Sequence, residues 1–240
     1  YNVPYNYAAI PIDGSKLVAF KSVGKFVMML PVLKPGEATH PDGKPVGNPV
    51  TSDPAIRKAL NYGIDRASIV KNIMYGYGTP AYDCVDPELQ AYYNPETTYQ
   101  DNDVEKAKAI LAEGGWKDTN GNGIVDKDGQ EANIVVMANA GDKILQNVAM
   151  LVSDQAKRLG INVTLEPKSA EEMNMRQHQD CKLINYGSLD PMNIYYLYYG
   201  PNSGKGFYNM SYFNNPTVNH YIEEAMVAPN MTLANDFWKK

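Results

Sequence analysis

Between residues 53 and 81 apolar and polar positions repeat at helical spacing, stop, and repeat again. Asp53 is placed to cap a helix, and Pro54 suits a first turn, where a missing N–H costs nothing. Ile56, Ala59, Leu60 and Gly63 then fall at i, i+3, i+4 and i+7, which is one apolar helix face. Asp65 is expected to cap a second helix that buries Ile69, Val70 and Ile73 and stops at Gly76. Thr79-Pro80 turns the chain into a loop. On pattern alone this is a helical corner packed on a core.

The same reading extends along the chain. Residues 16–31 predict two short strands around Gly24, and 34–53, rich in Pro, Gly and Asp, predict a long surface loop. Asp103 caps a helix through Glu113, with Val104, Ala107, Ile110 and Leu111 on one face and Gly114-Gly115 at its end. A strand is expected over 133–138, an amphipathic helix over 143–159 stopped by Gly160, and a strand over 161–165. Ser169 with Glu172 forms a capping-box pattern. A strand over 182–186 is broken by Asp190-Pro191, and a helix over 217–226 follows Asn215-Pro216. Helices and strands alternate, so the expected fold class is α/β.

Composition narrows the function. The chain has 240 residues, 44% hydrophobic and 20% charged, with a net charge of −5 and no basic run, which argues against nucleic acid as a partner. No apolar stretch approaches the ~18 residues of a membrane span. Tyrosine is frequent, 18 residues against 5 Phe and 2 Trp, and its apolar face with a polar tip suits wet binding surfaces as well as core edges. Cys84 and Cys181 leave two readings open, a pair or two buried free thiols. The three histidines, His40, His178 and His220, show no metal-ligand spacing, and His178, just past a short helix, is expected on the solvated surface. No G-x-S-x-G, H-E-x-x-H or P-loop pattern occurs, and Asp83, Asp86 and Glu88 read as a solvated loop, so no enzyme is expected.

One loop has cation chemistry. From Asp118 the run DTNGNGIVDKDG puts oxygen ligands at Asp118, Asn120 and Asn122, a backbone carbonyl at Ile124 and a carboxylate at Asp126, the spacing of an EF-hand loop. Gly129 stands where that loop has its bidentate Glu. Calcium in the 118–129 loop and a tight Asx-type turn leading into a hairpin are both open readings, and no cofactor is required. A calcium-dependent protein-interaction module is the alternative function class.

Four segments carry a more specific signal: IRKALNYGIDR from Ile56, DVEKAKAILAEGGWKDTNGNGIVDKDG, SDQAKRLGINVTLEP and YFNNPTVNHYIEEA. In that order they resemble the bacterial solute-binding proteins of the dipeptide, oligopeptide and nickel class, the extracellular family 5 receptors of ABC importers. The resemblance implies one lobe of a type II periplasmic-binding-protein fold, a mixed sheet flanked by helices. Residues 1–240 would be a single domain, the continuous lobe of a two-lobed receptor whose other lobe and signal peptide lie outside the chain. It also implies a monomer, an extracytoplasmic location (periplasmic or as a cell-surface lipoprotein), and an ABC permease as partner of the whole receptor. Hinge closure would trap the ligand between lobes, so an isolated lobe would bind weakly.

In that family the segment before the Asp-Pro pair faces the cleft, which here is Asn185, Tyr186, Gly187, Ser188, Leu189 and Asp190, with Tyr208 as a further wall candidate. Peptide-binding members carry an acidic residue where Gly187 and Ser188 stand, to pair with a peptide ammonium. Nickel-transport members lack it and place an aromatic at the position of Tyr186. The expected ligand is therefore a nickel chelate or a small peptide. Tyr195 and Tyr196 are further wall candidates, with the buried face of a short helix as the other reading of residues 195–199.

Overall fold

The computed structural model describes residues 24–98, 100–187, 190–205 and 208–240. The strand expected over 16–23, the position of the first residue, and Ser188 and Leu189 lie outside them. Chain order runs β1 (Lys25–Met29), α1 (Pro54–Gly63), α2 (Arg66–Asn72), α3 (Val104–Glu113), β2 (Asp126–Lys127), β3 (Gln130–Glu131), β4 (Asn133–Asn139) and α4 (Lys143–Lys157). It continues with β5 (Asn162–Lys168), α5 (Ala170–Arg176), β6 (Cys181–Tyr186), α6 (Met192–Tyr198), α7 (Pro216–Val227) and α8 (Met231–Trp238). The main sheet has the order β1-β6-β4-β5; β4 runs parallel to both β5 and β6, and β1 is antiparallel to β6. β2 and β3 form a separate two-residue hairpin. The sheet is mixed, as the family resemblance implies.

Local chemistry sets the helix starts. The Asp53 carboxylate accepts from Ala55 N–H at 2.8 Å, Asp65 from Ser68 N–H at 2.8 Å, and Asp103 from Lys106 N–H at 3.0 Å. The capping box is complete: Ser169 Oγ accepts from Glu172 N–H, and Glu172 Oε2 accepts from Ser169 N–H. Gly63 is fixed by crowding, because a Cβ there would sit 2.6 Å from a Leu159 methyl and 3.1 Å from the Ala107 Cβ. This close approach lets α1 lie against α3 and the end of α4.

The main core joins Ile56 and Leu60 of α1, Leu111 of α3, Ile134 and Val136 of β4, Val148 and Val152 of α4, and Cys181 and Leu183 of β6. The intervening strand residue Lys182 points the other way and donates to Asn174 Oδ1 of α5 (2.8 Å), so α4 and α5 cover opposite faces of the sheet. A smaller cluster of Val85, Tyr92, Ile194 and Ile222 sits beneath α6 and α7.

Three expectations change. Ile69, Val70 and Ile73 are half-buried, not buried; α2 rests on the rim of the core, where Ile69 and Ile73 make the contacts. The 34–53 segment is a surface loop only in its first half. Val46, Asn48, Val50 and Thr51 are buried, because Asn48 ties the loop down through its own turn (Val50 and Thr51 N–H, both 2.9 Å) and through Gln179 O (2.8 Å). His178 is buried at 2% exposure rather than solvated. The returning loop lays the His40 ring on it at 4.6 Å, and Tyr212 meets it edge-on at 5.1 Å.

Candidate functional site

β6 ends at Tyr186, on the carboxyl side of a strand parallel to β4, where ligand crevices of open α/β sheets form. Tyr186 is half-buried while Asn185 and Gly187 are exposed. Asp190 turns the chain: its Oδ1 accepts from Met192 N–H at 3.0 Å, an Asx-type closure that starts α6. This helix brings Tyr196 to the site, where its ring stacks on Tyr208 with centroids 4.9 Å apart and planes 17° from parallel. Burial pushes the Tyr186 hydroxyl pKa up, and Tyr196, Tyr208 and Asp190 lie close enough to add to the rise. Tyr186, Asp190, Tyr196 and Tyr208 thus converge on one surface, and Tyr208 is 43% exposed on it.

The other tyrosines of α6 divide as the two readings allowed. Tyr195, Tyr198 and Tyr199 pack on the smaller core. Tyr195 stacks on Tyr199 at 5.2 Å and meets Tyr196 edge-on at 5.6 Å, so the packed and exposed rings form one continuous aromatic set. Tyr92, of the same core, has its hydroxyl pKa raised by burial and by Asp190. Tyr92 therefore flanks the site, although it stands about a hundred residues away in sequence and no local pattern marked it.

The histidines do not form a metal centre. His178 Nδ1 lies 2.9 Å from Met210 O, so that nitrogen carries its proton, and burial lowers the ring's pKa. His220 is exposed beside Glu224 at 4.0 Å. Among the described residues no group of three or more His, Cys, Asp or Glu is arranged to hold a metal ion. Cys84 and Cys181 are free thiols, and burial pushes Cys84 up to about 12.

In the 118–129 loop Asp118 accepts from Gly121 N–H (2.7 Å) and Gly123 N–H (2.9 Å). Asn120 accepts from Asn122 N–H (3.0 Å), and Asn122 from Ile124 N–H (2.8 Å). Asp126 takes the Thr119 N–H (2.9 Å) and hydroxyl (2.8 Å). Glu131, in β3, accepts from the side-chain amides of Asn133, Asn122 and Asn120, which hold its carboxyl pKa down. A shallow hollow of about 410 Å³ lies over this loop, well removed in sequence from the tyrosine surface. The side-chain oxygens of Asp118, Asn120, Asn122 and Asp126 each accept from groups of the loop itself, and the β2–β3 hairpin closes its far end.

Comparison with known proteins places this geometry. Residues 20–216 match the family model described as bacterial extracellular solute-binding proteins, family 5 Middle. Protein XP55 of Streptomyces lividans is 35% identical over 181 residues, covering 75% of this chain and 33% of that protein. The oligopeptide-binding protein AppA of Bacillus subtilis is 39% identical over 123 residues, covering 48% and 22%. Among solved structures, AppA in complex with a nonapeptide superposes with a TM-score of 0.71 at 26% identity, over 90% of this chain and 43% of AppA. NikZ from Campylobacter jejuni in complex with Ni(L-His) shares the fold, with a TM-score of 0.76 at 23% identity, over 91% and 42%. The chain spans a third or less of the length of these two curated relatives.

Proposed function

Because this chain belongs to the bacterial extracellular solute-binding proteins of family 5, we propose that it is the continuous ligand-binding lobe of an ABC-importer receptor. In this reading it is a binding module and not an enzyme. Residues 1–240 form one wall of an inter-lobe cleft that captures a small solute outside the cytoplasm and presents it to a membrane permease. The observation that carries the reading is the convergence of Tyr186, Asp190, Tyr196 and Tyr208 at the carboxyl end of β6. Tyrosine faces offer apolar contact and hydroxyls offer hydrogen bonds, with little side-chain entropy to lose on binding. The described wall has no carboxylate at 187, so the ligand class favoured is a nickel chelate whose metal is held by its chelator, with small peptides as the alternative. The 118–129 loop is a self-closed turn for which calcium is at most a weak guest.

The test is calorimetry on the full receptor containing this chain, with nickel, nickel–histidine and tri- to pentapeptides side by side. Nickel–histidine or a peptide should bind in the micromolar range or tighter, and Tyr208→Ala should weaken that binding at least tenfold. Tyr208 is a surface residue, 43% exposed, so the change should cost only about 1 kcal/mol of stability. Saturable binding that Tyr186→Ala and Tyr208→Ala leave untouched would move the site elsewhere.

A further inference from the structure

Tyr208 is exposed, yet its ring is held parallel to Tyr196. An exposed two-ring stack does not fix a loop by itself; something must hold the backbone. The next residue, Asn209, is fully buried at 0% exposure and has a left-handed backbone with φ of +40°. Its N–H donates to Tyr196 O at 2.8 Å, tying it to the helix residue whose ring stacks on Tyr208. Its side-chain nitrogen lies 2.7 Å from Phe213 O, 3.0 Å from Tyr199 O and 3.0 Å from Ser203 Oγ, three acceptors for two N–H bonds. Its side-chain oxygen accepts from Phe213 N–H at 3.0 Å. Asn209, through its backbone N–H and one short side-chain amide, thus joins α6, the turn after it and the irregular segment at Phe213.

We propose that Asn209 is the positioning residue of the tyrosine surface: it fixes the segment that carries Tyr208 against Tyr196, and so sets the ligand wall. The inference rests on the reading of that surface as the ligand wall. Residue chemistry makes the role selective. Glycine accepts the left-handed backbone but brings no polar group. Aspartate tolerates the same backbone and keeps the acceptor, but when ionised has no donor for the two carbonyl oxygens. Asparagine combines the backbone tolerance, one acceptor and two donors in a side chain short enough for this pocket.

Hydrogen exchange by mass spectrometry on the chain separates this role from general packing. In Asn209→Gly the amides of 208–213 should exchange at least tenfold faster, with those of 136–138 in β4 unchanged. Asn209→Asp at pH 7 should lie with the glycine variant; protection equal to the parent would mean the donors are dispensable and would overturn the proposal, as would parent-like exchange in Asn209→Gly. Should Asn209→Gly unfold the chain, Asn209→Asp, which keeps the backbone tolerance and the acceptor and loses only the donors, decides alone: faster exchange confined to 208–213 supports the role, and an unchanged segment overturns it. A second arm titrates nickel–histidine and a pentapeptide mixture into the full receptor with and without Asn209→Gly. Failure of both probes on the parent counts against the functional reading alone, since exchange still decides the role of Asn209. If a probe binds, its Kd should rise at least tenfold in the variant.

Discussion

Gln155 and Asp65, ninety positions apart, hold each other through both ends of one amide. Gln155 Oε1 accepts from Asp65 N–H at 2.8 Å, and its Nε2 donates to Asp65 O at 3.2 Å and to Ser68 Oγ at 2.8 Å. Buried in the last turn of α4, the side chain takes the place of a neighbouring strand for the corner between α1 and α2. Replacing it with alanine leaves the Asp65 N–H without a partner, while Asp65 O keeps the Ile69 N–H and the Ser68 hydroxyl, and opens a hole against α4. Gln155→Ala should lower stability by about 2–3 kcal/mol, read as a fall in the urea midpoint at unchanged slope.

Asp53 holds the other end of the same corner. Besides capping α1 it accepts from Trp116 Nε1–H at 3.0 Å and pairs with Lys127 at 2.7 Å. Burial works to raise its pKa, but the Lys127 bond and the Ala55 and Trp116 N–H donors outweigh it, and the carboxyl ends below its usual value. The folded pKa being the lower one, the stability it contributes is present above the unfolded value near 3.9 and is lost as pH falls through the folded value. Asp53→Ala should cost about 2–3 kcal/mol at neutral pH, the sum of a lost cap and an unpaired buried indole N–H. In a denaturation series at decreasing pH, the gap between parent and variant should close below about pH 4.

His178 gives a pH dependence of its own. Burial, opposed by the Met210 carbonyl, lowers its pKa below 6.5; His40 disfavours the charged ring, Asp42 favours it and Lys44 disfavours it. The unfolded chain then binds a proton that the folded chain resists. Stability should be level from pH 8 to about 6.5 and fall as pH drops below that, with the loss ending beneath the folded value. His178→Gln should flatten this part of the profile, as thermal melts between pH 5 and 8 would record. An equal slope in parent and variant would show that the dependence does not come from His178.

What was legible in the sequence follows range. The caps at Asp53, Asp65, Asp103 and Ser169 lie within three residues of the N–H groups they serve, so pattern alone found them. The apolar faces of α1 and α3 were legible in the same way. What pattern missed is held by partners far along the chain. His178 is buried by a loop more than a hundred residues earlier, Gln155 by the corner at Asp65, and Tyr92 reaches the site from a loop with no periodicity. Asn209 sits between Tyr208 and Met210 in an irregular stretch, where an asparagine reads as one more turn residue. A buried polar hub leaves no period to detect, only a side chain of the right length.

The 118–129 loop separates two stabilising effects by experiment. Its Asp118 oxygens close the turn through Gly121 and Gly123 N–H, and that closure needs no ion. Asp118→Ala should therefore lower stability by about 1 kcal/mol even with a chelator present, an ordinary value for exposed backbone N–H bonds to a side-chain carboxylate. Calcium acts by mass action on whatever coordination remains. Each carboxylate oxygen keeps lone pairs beyond those used in the turn, but Gly129 offers no side chain at the last ligand position. A site with a dissociation constant of a few millimolar would add only about 1 kcal/mol at roughly 10 mM calcium. Parent melts with calcium and with chelator should thus differ by a few degrees at most, and the difference should vanish in Asp118→Ala. A stabilisation several times larger at micromolar calcium would make the ion a structural component of this loop, and Glu131→Gln would then test whether Glu131 supplies the ligand that Gly129 lacks.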